Sequence, residues 1–299
     1  MQKNHFFQSL AVSCAVLLCQ LVVGQNVSFQ QNIETIAASV RAEVGVGVLE
    51  VESGETFFLN KTKHLPMQSV YKLHLALAVL AQVDEGKLSL DQRIFVSKSD
   101  LLPNTYSPLR EKHPEGNLDL PLRDLLRYSV SESDNVACDL LFRLVGGPQK
   151  VNDYMHKIGI KDVAIAATED QMHQDWAAQF TNWTTPRAML QLLQKIDQQK
   201  LFSKSNQDFL WNIMTTGSTG MNRIKFLLPK GTVVAHKTGT SGSKNGILDA
   251  INDAAIVVLP NGKHLVIVVF VANSKEDMKT NEATIAQISK AAWDYFGKR

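Results

Sequence analysis

Ser69-Val-Tyr-Lys-Leu-His-Leu-Ala-Leu-Ala-Val-Leu-Ala-Gln-Val83 is the stretch around which the rest of the chain is read. From Val70 to Val83 it is apolar nearly all round, which describes a buried helix beginning at Ser69. Lys72, three residues on, projects from the same helix face as Ser69. The helix N-terminus favours anionic charge developing near the serine. A lysine in a low-dielectric site loses its proton more readily and can act on a hydroxyl. A Ser-x-x-Lys match alone is weak, because an ordinary helix cap with a surface lysine has the same spacing. The chain holds a second one, Ser241-Gly-Ser-Lys244, but it sits in a Gly-containing turn without a helical scaffold.

Upstream, Ser28-Phe-Gln-Gln31 resembles a capping box, and Ile33, Ile36, Ala37 and Val40 follow at helical spacing. Val44 to Leu59 gives two strand-like runs around Ser53-Gly54, a hairpin signal. Downstream the pattern is mainly helical to about Met214, broken by polar loops near Pro103 to Pro121 and Ala167 to Pro186. Then come Thr232 to His236, Ala254 to Leu259 and His264 to Ala272, rich in Val and Ile; Pro260-Asn-Gly262 turns between the last two. Ile285, Ile288, Ala291 and Trp293 mark a closing amphipathic helix. The fold class is therefore α/β, an α+β sandwich: an antiparallel sheet built from both ends of the chain, flanked by the N- and C-terminal helices, with an all-helical lobe inserted. The expected lobes are 25–64 with 215–299, and 65–214 with an Ω-type loop at about 167–186. A cleft between them is the natural place for a site.

The 299 residues are 44% hydrophobic with a formal net charge of +2, which gives no electrostatic footprint for nucleic acid. Residues 1–24 read as a cleaved signal peptide, which implies a periplasmic protein with no stable membrane association afterwards. That cleavage would leave Cys138 alone, and its apolar setting describes a buried, inert thiol. Histidines show no pair at helical ligand spacing and no glycine-rich phosphate loop occurs, so neither metal nor cofactor is expected.

Three further segments support Ser69 and Lys72, in order along about 170 residues: Ser133-Asp-Asn135, then Glu169 in a polar loop with His173 after it, then Lys237-Thr-Gly-Thr240 at a strand end. Each triplet alone is a common accident, but the set in this order is hard to obtain by chance. Here the chain resembles the class A serine β-lactamases, whose Ser-x-x-Lys, Ser-Asp-Asn and Lys-Thr-Gly motifs are a standard catalytic set. The wording of Gln171-Met-His173, Asn182-Trp-Thr184 and Gly231 to Gly242 is similar to the PER/VEB-type extended-spectrum subgroup.

The resemblance implies that Ser69 attacks the lactam carbonyl of a small-molecule β-lactam, within an oxyanion hole formed by its own N–H and that of Thr240. It implies Lys72 as a base for acylation, directly or with Glu169 acting through a water. It makes Ser133 the proton donor to the leaving nitrogen, with Lys237 positive beside it, and Glu169 the base for deacylation. Substrate-binding positions would be Asn135, His173, Arg223, Lys237, Thr238, Gly239, Thr240 and Ser241. Asp134 reads as a structural carboxylate and His236 as an orienting or packing residue. The family usually has Asn where His173 stands, and an Arg–Asp pair where Ala167 and Asn182 stand, so the loop's conformation is open. A monomer is the default expectation. The related alternatives are a penicillin-binding D,D-peptidase and a non-hydrolysing β-lactam sensor.

Overall fold

The computed structural model describes residues 29–298; the expected leader and the capping residue Ser28 lie outside them. Helix α1 covers residues 29–38 and turns Phe29, Ile33 and Ala37 inward. Val40 falls beyond its end. Strands β1 (Glu43–Glu50) and β2 (Thr56–Leu59) form the expected hairpin, and Gly54 supplies the left-handed residue of the turn with φ of 74°. Strand β3 (Leu65–Pro66) leads through a 3-10 turn (Gln68–Val70) into α2 (Tyr71–Asp84). The next block holds β4 (Arg93–Val96), α3 (Pro108–Lys112), β5 (Leu118–Pro121), α4 (Leu122–Ser131), α5 (Asn135–Val145) and α6 (Pro148–Lys157). After it come β6 (Val163–Ala164), α7 (Glu169–Gln174), β7 (Trp183–Thr184), α8 (Pro186–Asp197) and α9 (Lys204–Thr215). The chain closes with β8 (Val234–Thr240), β9 (Ser243–Lys244), β10 (Ile247–Val258), β11 (His264–Ser274) and α10 (Met278–Phe296).

Among the described residues the main sheet is antiparallel in the order β2-β1-β11-β10-β8, with β9 paired to β10. Strand residues alternate between two cores, as the period of two requires. Val46, Val48, Ile267 and Val269 join Phe29, Ile33, Ile285 and Ile288 under α1 and α10. Val266, Val268, Phe270 and Ile256 face the other way and merge with α8 and the helical block in one core. Helix α2 runs through that core with every residue from Tyr71 to Leu80 buried, its leucines each contributing about 2 kcal/mol of transfer free energy. No described helix is long and apolar enough to cross a membrane.

Two strands exceed what their Val and Ile content suggests. β8 continues through Lys237-Thr-Gly to Thr240, and β10 begins at Ile247 rather than Ala254. Asp249, Asn252 and Asp253 hide β10 from a hydrophobic pattern. They are tolerated in a buried strand because each bonds to another segment of the site.

Candidate active site

Lys72 lies on the first turn of α2 with no exposed surface. Its Nζ donates to Ser69 Oγ (3.1 Å), the Ser133 carbonyl (2.7 Å) and Asn135 Oδ1 (2.5 Å), and ion-pairs with Glu169 Oε1 at 2.9 Å. One buried cation thus touches four of the residues singled out by the sequence. The turn carrying Ser69 is held from several sides. Asn252 Nδ2 donates to the carbonyls of Pro66 (2.8 Å) and Met67 (3.0 Å), and Met67 N–H donates to the Asn182 carbonyl at 3.0 Å. Gly239 passes so close that a Cβ there would lie 3.0 Å from Gln68 Cβ, 3.1 Å from Ser69 N and inside contact with the Met67 carbonyl oxygen. That is why the strand end beside the nucleophile needs glycine.

Ser133 adopts a left-handed φ of 59° and aims its hydroxyl at Lys237, whose Nζ donates to Ser133 Oγ at 2.9 Å and to the Thr238 carbonyl at 3.0 Å. Burial, and then the charge of Lys72, push the Lys237 ammonium well below the ordinary lysine range. Asp134 caps α5 and has no exposed surface. It accepts from Ala137 N (2.8 Å), Leu109 N (2.7 Å) and Ser107 Oγ (2.9 Å), the structural role expected. Asn135 Nδ2 donates to Thr105 Oγ1 at 2.7 Å, tying the loop after Pro103 to the site. Cys138 is buried against the Tyr71 hydroxyl, and burial pushes its thiol up.

Glu169 opens α7, which Thr168 caps. The N–H groups of Glu169 and Asp170 each donate to one oxygen of Asp139 at 2.8 Å. Burial, with the Glu169 charge adding to it, raises the Asp139 carboxyl to about 6 against the opposing pull of these two N–H groups. Without an Arg–Asp pair, the loop is closed by Asn182, which is fully buried. Its Oδ1 accepts from Ala166 N (2.8 Å) and Ala167 N (3.0 Å), and its Nδ2 donates to the Ala167 carbonyl at 2.9 Å. An amide replaces the ion pair by satisfying both signs of backbone group at once. His173 is exposed on the last turn of α7 and faces the cleft.

The far wall of the cleft is made by β8 and the segment before it. Arg223 is buried, donating to the carbonyls of Gly239 (3.0 Å) and Asn252 (2.9 Å) and to Thr240 Oγ1 (2.6 Å), and pairing with Glu282 of α10 at 3.3 Å. Because Thr240 Oγ1 accepts from Arg223, its own proton is left to donate elsewhere. The Thr238 hydroxyl bonds to that of Thr219 at 2.7 Å. Ser241 turns its hydroxyl to the neighbouring strand, accepting from Ala250 N at 2.9 Å. His236 lies behind the wall, its Nδ1 3.0 Å from Asp253. Asp253 Oδ2 also accepts Ile224 N–H at 3.2 Å, so the pair steadies the segment that carries Arg223.

The cleft encloses about 580 Å³ and its lining includes Ser69, Ser133, Asn135, Glu169, His173, Arg223 and Thr238 to Ser241. Lys72 and Lys237 sit beneath it, fully buried. Sequence reasoning missed Thr105, Tyr106, Trp176, Gln179 and Thr219 on its walls and Asp139 behind Glu169. Asp139 stands four residues after Asn135 on one helix face, and that spacing was the available signal.

The model of the β-lactamase enzyme family matches residues 28–296. Extended-spectrum β-lactamase PER-1 of Pseudomonas aeruginosa is 46% identical over 271 residues, covering 91% of this chain and 88% of its own. A β-lactamase of Bacteroides uniformis is 41% identical over 98% of this chain and 99% of its own. The crystal structure of a β-lactamase from Chitinophaga pinensis superposes with a TM-score of 0.88 at 50% identity, over 89% of this chain and 98% of that one. With the serine, the two buried lysines and the loop glutamate converging on one cleft, the chain belongs to the β-lactamase enzyme family and is a serine β-lactamase of class A.

Proposed function

We propose that Ser69 opens the β-lactam ring of penicillins and cephalosporins, and that Glu169 then drives hydrolysis of the acyl-enzyme. The contact of Lys72 with both Ser69 Oγ (3.1 Å) and Glu169 (2.9 Å) carries this reading. Proton transfer from Lys72 to Glu169 leaves an amine lone pair facing Ser69. The serine proton passes to that amine as Oγ attacks the lactam carbonyl, and the N–H groups of Ser69 and Thr240 receive the oxyanion. When the C–N bond breaks, Ser133 gives its proton to the nitrogen and is resupplied by Lys237, 2.9 Å away. Burial and the neighbouring Lys72 charge lower the proton affinity of Lys237, which favours its giving a proton to Ser133. Thr238, Ser133 and Arg223 hold the substrate carboxylate, and Asn135 and His173 face the acyl side chain. Glu169 first gives up the proton it took from Lys72, while Lys237 regains the one it supplied. In the second half-reaction Glu169 takes a proton from water, the hydroxide attacks the ester, and that proton passes to Ser69 Oγ as the acyl C–O bond breaks.

The same reading includes export through residues 1–24, action as a monomer in the periplasm, lobes of 25–64 with 215–299 and 65–214, and acceptance of bulky oxyimino-cephalosporins. Steady-state turnover tests it. Wild type clears many equivalents of a chromogenic cephalosporin and Ser69→Ala clears none; consumption of a single equivalent by wild type refutes hydrolysis and leaves a penicillin-binding or sensing protein. Oxyimino-cephalosporin turnover at background refutes the broad substrate range.

A further inference from the structure

One chain of buried polar side chains runs from the sheet to the nucleophile and takes no part in the steps above. Asp249 on β10 accepts from Gln179 Nε2 at 3.3 Å, and Gln179 Oε1 accepts from Gln68 Nε2 at 2.5 Å. Gln68 immediately precedes Ser69 and holds a left-handed φ of 48°. All three side chains are more than nine-tenths buried, at 7%, 5% and 9% exposure, so this is interior structure and not surface decoration. We propose that Asp249, acting through the Gln179 and Gln68 carboxamides, is a positioning residue that sets the backbone turn presenting Ser69. The proposal rests on Ser69 being the nucleophile.

The direction of the chain follows from donor and acceptor inventory. A carboxylate only accepts, so Asp249 obliges Gln179 to face it with the amino group. The second amino hydrogen goes to the Trp176 carbonyl at 2.9 Å, which leaves the Gln179 oxygen to receive Gln68. Two acceptors, Asp249 on the sheet and the Trp176 carbonyl, thereby fix the orientation of two amides in sequence. A non-glycine residue at positive φ is strained by about 1–3 kcal/mol and persists only where its surroundings dictate it. Here the surroundings are the Gln179 amide on one side and Gly239 on the other. Trp176 belongs to the same arrangement: its indole edge lies 3.3 Å from where a Cβ of Gly242 would stand, and the Lys244 ammonium sits 5.5 Å from its ring centre. The catalytic loop, the β8–β9 edge and the nucleophile turn therefore share one buried anchor.

Displacing the turn moves the Ser69 N–H, which serves the tetrahedral intermediates of acylation and deacylation alike. Loss of the anchor should slow both steps together, unlike loss of the glutamate base, which affects one. The experiment measures acylation and deacylation rate constants per titrated active site for wild type, Asp249→Asn, Gln179→Leu and the double variant, with a chromogenic cephalosporin and stopped-flow detection. Asparagine can turn its amino group to Gln179 and release the orientation. Both rate constants should fall about tenfold in each single variant, and the double should be no slower than Gln179→Leu. Wild-type rates in Asp249→Asn, a loss confined to deacylation, or additive losses would overturn the proposal. Should Asp249→Asn not fold, Gln179→Leu and Gln68→Leu give the same two-step readout. Absence of turnover in wild type refutes the nucleophile assignment; normal wild-type turnover with unaffected variants refutes only the anchor.

Discussion

Replacing Gly239 by alanine adds one methyl group where the end of β8 meets the turn of the nucleophile. That methyl would lie 3.1 Å from Ser69 N and 3.0 Å from Gln68 Cβ, and would overlap the Met67 carbonyl oxygen. All of these are backbone or backbone-proximal atoms, so no side-chain rotation relieves the overlap. The Met67–Ser69 turn must withdraw from the strand by about 0.5–1 Å to restore van der Waals separation. Strain of this kind destabilises by about 1–3 kcal/mol, a lowering of Tm of roughly 3–10 °C for a chain of this size. The kinetic effect is larger, because the turn carries both Oγ and one oxyanion-hole donor, and misplacement by about 1 Å slows reaction about 100-fold. Stopped-flow acylation by a chromogenic cephalosporin, at a temperature where the variant is fully folded, gives the rate; a thermal melt gives the stability. An acylation rate within about threefold of wild type would refute the reasoning, since the turn would then not depend on glycine for its placement.

Asn182→Ala strips three hydrogen bonds from the backbone of residues 166 and 167 at a fully buried position. The expected loss is about 3–5 kcal/mol, read by denaturant unfolding, with deacylation slowed more than acylation because the loop carries Glu169. Arg223→Ala removes the buried guanidinium from Thr240 and the two strand carbonyls; KM for carboxylate-bearing substrates should rise at least about tenfold, checked by steady-state kinetics. Asp139 supplies a pH dependence. Its folded-state value near 6 lies above that of an unfolded aspartate near 4, so the native protein binds this proton first and gains stability from it as pH falls between the two. Asp139→Asn has no such proton to bind, so melts from pH 7 to pH 4 should show the difference between the two proteins shifting toward wild type.

The parts of the fold legible in the sequence were those with an uninterrupted physical signature. α2 was plain because its apolar run has no polar gap from Leu73 to Ala81 apart from His74, and β11 because Leu265 to Ala272 is apolar throughout. β10 was half hidden: its first seven residues include Asp249, Asn252 and Asp253, whose burial is supported by partners as far away in sequence as Pro66 and Gln179. No local pattern encodes such partners. The same limit applies at the site. Ser69, Lys72, Ser133, Glu169 and Lys237 were found because their residue types and order are a chemical requirement. Asp139, Gln179 and Thr219 were missed because their roles come only from where the chain crosses itself. The loop that lacked an Arg–Asp pair was an open question in the sequence, and its closure by one asparagine needed the backbone around residues 166 and 167 to be seen.

The most direct test of the account is the mass of the protein during incubation with a cephalosporin, for wild type and Glu169→Ala. Glu169 touches Lys72 on the loop side of Ser69, where it serves release of the acyl group. The expected result is a wild type that clears the drug without lasting mass gain and a variant that accumulates one Ser69 adduct. A variant that clears the drug at the wild-type rate with no adduct would contradict the assignment of Glu169, and a wild type that remains acylated would contradict hydrolysis itself.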